Sequence, residues 1–166
     1  MNNLIAIAGP DNSGKTTLAK ILQRRLTSCS PQYIIKNFAG LPAKHYEEIT
    51  GINFHKVPRE DKELYRKEFI DYCEGCKKIF GDSVWSISLF RKWSEDSRWI
   101  IDDLRFMEEY AIVKRNKGII VGIEKDGVRP QMECDYTVKI QEDLSVSTSK
   151  IELSARDLIK NLFLEK

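Results

Sequence analysis

The sequence predicts a three-layer α/β fold, with a central parallel five-stranded sheet flanked by helices. Two observations carry this. Strand-like segments at 4–8, 33–38, 99–102, 118–123 and, by alternation at Tyr136, Val138 and Ile140, at 135–140 are interleaved with stretches of helical periodicity. A glycine-rich turn joins the first run directly to the first helical stretch. Strands separated by helices pair in parallel and are covered on both faces. The chain of 166 residues, 42% hydrophobic and 31% charged, suits one globular domain over 1–166 and excludes a disordered chain.

Leu4–Ala8 is uniformly apolar and closes on Gly9-Pro10, the pattern of a strand buried on both faces. From Lys15 to about Thr27, Leu18, Ile21, Leu22 and Leu26 recur at helical spacing. Tyr33–Phe38 is the second predicted strand, followed by a turn at Ala39–Pro42 and a short helix to Thr50. A helix is predicted from Asp61 to about Phe80, with Leu64, Phe69, Ile70 and Cys73 on one side, and another over Ser83–Ser94. Trp99–Asp102 is the third strand, Phe106–Asn116 a helix, Gly118–Ile123 the fourth strand, Asp135–Ile140 the fifth and Leu153–Phe163 a closing amphipathic helix. Residues 43–94 are too long for a simple crossover; a second-substrate site would be built in this helical insertion.

The turn after the first strand reads Gly9-Pro10-Asp11-Asn12-Ser13-Gly14-Lys15-Thr16. Glycines at this spacing let the backbone curl so that successive N–H groups converge on phosphate oxygens. The helix that starts here adds its unpaired N–H groups and positive dipole end. A lysine placed as Lys15 is reaches the β- and γ-phosphates, and a hydroxyl placed as Thr16 is ligates magnesium. The residues expected to hold ATP are Gly9, Asp11, Asn12, Ser13, Gly14, Lys15, Thr16 and Thr17. Asp11 either orients an arginine of the acceptor site or stabilises the turn.

A triphosphate site of this kind needs a second acidic group at the end of a neighbouring strand, for magnesium or its waters. Asp102-Asp103 ends the third apolar run, and two adjacent carboxylates repel unless a cation or an arginine is near. Asp102 is the expected metal ligand. Asp103 either contacts substrate, with Arg105 in reach, or simply caps the helix near Phe106.

Further stretches follow in order: Phe38-Ala39-Gly40-Leu41-Pro42-Ala43-Lys44; Pro58-Arg59-Glu60 with Gly81-Asp82-Ser83-Val84-Trp85; and Asp103-Leu104-Arg105-Phe106-Met107-Glu108-Glu109. With the glycine-rich turn, and in this order over residues 1–125, they resemble the deoxynucleoside monophosphate kinases of bacteriophages, a branch of the P-loop small-molecule kinases. That resemblance implies the three-layer P-loop kinase fold and transfer of the ATP γ-phosphate to a (deoxy)nucleoside monophosphate, giving the diphosphate. It implies that Arg59 and Arg105 grip the acceptor phosphate and that Phe38 or Trp85 flanks its base. Larger members carry a longer lid where this chain has only residues 125–131, with Arg129 as its cation. The turn itself is also similar to that of thymidylate kinases, where an aspartate occupies the place of Asp11. Another small-molecule kinase on this scaffold, or a nucleotide-binding module without turnover, remain alternatives.

Other features point elsewhere only weakly. The net charge of +2 and short basic clusters give no reason to expect nucleic acid or membrane as a partner; the expected partners are small nucleotide substrates, and a homodimer is compatible with the sequence. Without a signal-peptide pattern, Cys29, Cys73, Cys76 and Cys134 are expected as reduced thiols in a cytoplasmic protein. Cys73-Glu74-Gly75-Cys76 lies inside a helical stretch, not at a helix start, which argues against a redox pair. His45 and His55 lack catalytic partners in the pattern and read as solvated, and Trp93 and Trp99 read as core.

Overall fold

The computed structural model describes residues 3–10, 12–26, 32–54, 56–58, 60–124, 144–147 and 159. The chain divides into two compact units, Met1–Asn37 with Trp93–Lys166 and the intervening Phe38–Lys92.

In the first unit the sheet order is β2-β3-β1-β4-β5, and every pairing is parallel. The central strand β1 (Leu4–Ala8) is buried along its whole length, as its unbroken apolar run requires. Its neighbours are β3 (Trp99–Leu104) and β4 (Ile119–Glu124), with β2 (Ile34–Lys36) and β5 (Leu144–Ser147) at the edges. The sequence identified the regions of β1 to β4. Its fifth strand, 135–140, and its closing helix, 153–163, lie outside the described residues, apart from a helical Ile159; the edge strand observed is Leu144–Ser147. The second strand is shorter than predicted, Ile34–Lys36, and the Tyr33 carbonyl just before it accepts from the Gln23 side chain (2.9 Å).

Helix α1 (Lys15–Arg25) covers one face of this sheet. Its Leu18, Ala19, Ile21 and Leu22 pack with Ile5, Ile7, Ile100, Val121 and Ile123, an alternate set along each strand. Helix α5 (Met107–Arg115) serves the opposite face, where its Val113 and Leu4 both crowd Gly118 at the entry to β4. This gives three layers, helix, sheet and helix.

The second unit is helical: α2 (Gly40–Thr50), α3 (Lys62–Phe80) and α4 (Val84–Phe90). Helix α2 begins at Gly40, inside the predicted turn. Pro42 is tolerated there because N–H groups of the first turn have no intrahelical acceptor to lose. Helix α3 turns Tyr65, Phe69 and Tyr72 inward, not the predicted Leu64 and Ile70, which are 73% and 39% exposed. Aromatic edges outcompete the aliphatic stripe: Phe69 stacks on Phe54 (4.9 Å between centroids) and meets Tyr46 edge-on at 5.4 Å. Helix α4 ends at Phe90, four residues before the predicted Ser94. Trp93 lies in the first unit, edge-on to Trp99 at 5.2 Å. Among the described residues no helix is long and apolar enough to cross a membrane.

Candidate functional site

The glycine-rich turn leaves the carboxyl end of β1, with β3 on one side and β4 on the other. In an open parallel sheet ligands gather at this point, where successive connections depart to opposite sides. The turn is held close to the sheet. A Cβ on Gly9 would stand 2.9 Å from the Ile123 carbonyl oxygen and 2.8 Å from Ser13 Oγ, so only glycine fits without displacing backbone. Asn12 (φ 57°) and Gly14 (φ 93°) take the left-handed conformation. Asparagine tolerates it better than most residues and glycine adopts it freely; such residues curl a chain into an anion-binding concavity.

Lys15 and Thr16 open α1 directly after Gly14. The Lys15 ammonium is buried and donates to the carbonyls of Gly9 and Pro10, 2.7 Å each, folding it across the loop that contains it. Thr16 Oγ1 donates to Asp102 Oδ2 at 2.8 Å, across 86 residues of sequence. Asp102 is buried, and its Oδ1 has no hydrogen-bond partner among the described residues. A buried carboxylate oxygen left unsatisfied is costly, so this atom marks a place for a donor or a cation.

A bulge explains how the two adjacent aspartates part company. Ala6 pairs with Ile101 but Ala8 with Leu104, so β3 carries one residue more than β1 over this stretch. Leu104 thereby takes the fully buried core position, Asp102 stays on the α1 face against Thr16, and Asp103 is left half-exposed. The capping alternative for Asp103 is overturned: it lies within β3, and α5 is preceded by Phe106.

The turn between β3 and α5 is secured by Glu109, to which the sequence reading assigned no role. Its Oε2 accepts from the backbone N–H groups of Arg105 (2.7 Å) and Phe106 (3.0 Å), so the third residue of the helix caps its own start. Burial, reinforced by the negative charge of Asp103, pushes the Glu109 carboxyl up to about 8, against the pull of the two N–H groups. The signal was legible: a glutamate three residues after a helix boundary is a capping pattern. Arg105 sits half-exposed in the turn that Glu109 pins.

Of the remaining predicted site residues, Thr17 is exposed on α1. Asp11, Arg59, Arg129 and His55 lie outside the described residues. Phe38 and Trp85 belong to the helical unit. Phe38 is 3% exposed and stacks on Phe90 (6.2 Å), so its ring is committed to packing. Trp85 lies beside His45, edge-on at 6.3 Å, and Tyr72, tilted at 6.0 Å. His45 also hydrogen-bonds the Tyr72 hydroxyl, a partner its solvated reading did not anticipate. Cys73 and Cys76 are free thiols one turn apart on α3; burial, and then the neighbouring Cys76, push the Cys73 thiol up to about 12 and leave it a poor nucleophile.

No protein-family model and no curated protein matches this chain. Solved structures do. The chain is similar to the APS kinase of Mycobacterium tuberculosis, with 14% identity, a TM-score of 0.53, and coverage of 98% of this chain and 99% of that one. A shikimate kinase from Bacteroides thetaiotaomicron (15% identity, 98% and 99% coverage, TM-score 0.46) and a gluconokinase from Sinorhizobium meliloti (11%, 98% and 97%, 0.49) also align. At such identities the first match shows a shared fold: an α/β fold of the P-loop kinase type, with a parallel sheet flanked by helices.

Proposed function

We propose that this protein is a kinase that transfers the γ-phosphoryl group of ATP to a small-molecule acceptor, and that the acceptor is a (deoxy)nucleoside monophosphate. The observation that carries the reading is the 2.8 Å bond from Thr16 to Asp102, beside the unsatisfied Oδ1 of the same carboxylate. It joins the phosphate-binding turn to the end of the adjacent strand with the hard oxygen donors that magnesium prefers. Thr16 and Asp102 would hold the ion, which when bound neutralises charge on the phosphate oxygens.

The chain's own groups do the remaining work. Phosphoryl transfer asks a protein mainly for alignment and charge stabilisation. The amides of Asn12–Thr16 bind the phosphate tail, and Lys15 brings a positive charge that exchanges its two carbonyl partners for phosphate oxygens. Arg105, on the turn pinned by Glu109, supplies a planar fork for a second phosphate. An acceptor phosphate is already ionised, so no general base is required. The nucleotide character of the acceptor rests on the ordered motifs from Phe38 to Glu109.

The deciding assay follows ADP formation with ATP, magnesium and each ribo- and deoxynucleoside monophosphate in turn. At least one acceptor should raise the rate well above background, and Lys15→Ala should lower kcat by about 10²–10³-fold. If no nucleoside monophosphate stimulates ADP release, the acceptor assignment fails. If Lys15→Ala turns over at the wild-type rate, the donor site fails.

A further inference from the structure

We infer that Cys73 and Cys76 form an oxidation site, at which a peroxide closes a reversible disulfide across one turn of α3. Nothing in it depends on phosphoryl transfer by the glycine-rich turn. A catalytic redox pair opens a helix, where the dipole activates its first thiol, and this pair stands in mid-helix. A bond that is only made and later reduced has no such requirement. It needs access, reach and a backbone that yields.

Access differs between the two thiols. Cys76 lines a cleft of about 760 Å³ formed by α2, α3 and α4, whereas Cys73 is not among the residues that line it. Burial, and then Cys76, hold the Cys73 thiol protonated. Cys76 is therefore the thiol that an oxidant meets first. Beside it stands the Tyr72 hydroxyl, which also hydrogen-bonds His45. Burial, and then Cys76, raise the pKa of that hydroxyl, so it stays a proton donor next to the sulfur.

Reach is set by the helix. Residues three apart on an α-helix have Cα atoms about 5 Å apart, inside the roughly 4.4–6.8 Å that a disulfide spans. Their Cβ atoms, about 5–6 Å apart, must close to about 3.8 Å, so the turn has to deform. Gly75 lies between the two cysteines and lets it do so, because glycine is the weakest helix former after proline. No residue of α3 is fully buried, so packing does little to hold this turn in place.

The Cys76 sulfur attacks hydrogen peroxide: the O–O bond breaks, an S–O bond forms and water leaves, giving a sulfenic acid. Tyr72 protonates the departing oxygen and regains its proton from the thiol. The Cys73 sulfur then displaces the remaining oxygen. The S–S bond forms, the S–O bond breaks, and the Cys73 proton leaves with hydroxide as a second water. The two thiols supply both electrons that reduce the peroxide.

The experiment exposes the full-length protein, folded and without nucleotide, to hydrogen peroxide, blocks the remaining thiols with iodoacetamide and digests it with trypsin. Both cysteines fall in one peptide, Glu68–Lys77. That peptide should emerge two hydrogens lighter and without alkylation, and dithiothreitol before blocking should restore both alkylated cysteines. In Cys73→Ser, dimedone should trap the sulfenic acid on Cys76. In Cys76→Ser, Cys73 should be consumed about tenfold more slowly than in wild type. Gly75→Ala, whose added Cβ meets no atom within 4 Å, should close the bond about fivefold more slowly through the helix propensity it adds. That effect separates a bond gated by the helix from one that any unfolded stretch would make. A peptide that keeps both alkylations after peroxide, a bond from either cysteine to Cys29, Cys134 or a second chain, or oxidation as fast in Cys76→Ser as in wild type would each overturn the site. Closure in Gly75→Ala at the wild-type rate would overturn the part given to the turn.

Discussion

The two units of this molecule are stabilised in different ways. In the first, β1 contributes five buried residues in succession, and α1 and β3 add Leu18, Leu22, Ile100 and Ile101, all fully buried. In the second, the nineteen-residue helix α3 has no residue that reaches full burial, while Ile79 and Phe80 are 75% and 70% exposed. Its cohesion comes from aromatic contacts around Tyr46, Phe69 and Tyr72. The glycine-rich turn, which we propose binds phosphate, thus stands on the close-packed unit, as the alignment that phosphoryl transfer would demand requires. The cleft lined by α2, α3 and α4 stands on the less buried one. Low local burial is the physical signature of segments that open most easily.

The largest effect that would break this comparison is a cavity in the first unit. Ile100→Ala removes a fully buried side chain that packs against α1 and β1, and should cost about 2–5 kcal/mol in chemical denaturation. A loss below about 1 kcal/mol would mean that the sheet core is no tighter than the helical unit.

A smaller effect tests the turn beside the candidate site. Glu109 is pushed from 4.5 to about 8, so between those values the folded protein holds a proton that the unfolded chain has released. Stability must therefore fall as pH rises from about 4.5 towards 8, because the unfolded state binds fewer protons in that window. Glu109→Gln keeps an oxygen to accept from Arg105 and Phe106 and removes the charge. Its stability relative to wild type should grow across that window by on the order of 1–4 kcal/mol, read from urea midpoints at pH 5 and pH 8. A constant difference between the two proteins would show that Glu109 is ionised in the fold at both pH values.

Much of the first unit was legible because its signals are local. An unbroken apolar run, a glycine-lysine-threonine turn and a helical stripe each dictate their own structure, and both partners of the Thr16–Asp102 bond stand out in the sequence as candidate site residues. The bulge that separates Asp102 from Asp103 was not legible, since it depends on β1 offering fewer residues than β3. Glu109 was overlooked for the opposite reason: its capping pattern was present, but a buried carboxylate is recognised only once burial is known. In the second unit the periodicity located α3 and two of its inward residues, Phe69 and Cys73, but placed Leu64 and Ile70 inward where Tyr65 and Tyr72 turn in instead. A pocket in the 43–94 insertion with Trp85 beside it was expected from sequence, but its lining and the orphaned Trp85 Nε1 follow only from three helices meeting.

The smallest expected effect is the sharpest test of the looser unit. Leu64 on α3 is 73% exposed and Ile79 is 75% exposed, so truncating either should change stability by no more than about 0.5 kcal/mol. Surface positions without partners lose almost nothing when shortened, because the side chain was solvated before and after unfolding. The measurement is a thermal midpoint for Leu64→Ala and Ile79→Ala at two protein concentrations well apart. Unchanged midpoints at both would leave α3 as a solvated face. A loss above about 1 kcal/mol that grows with wild-type concentration would mean that these apolar side chains are covered in solution by a second copy, since only association makes stability depend on concentration. The contrast between the units would then be one between a core closed within the chain and a core completed by a partner.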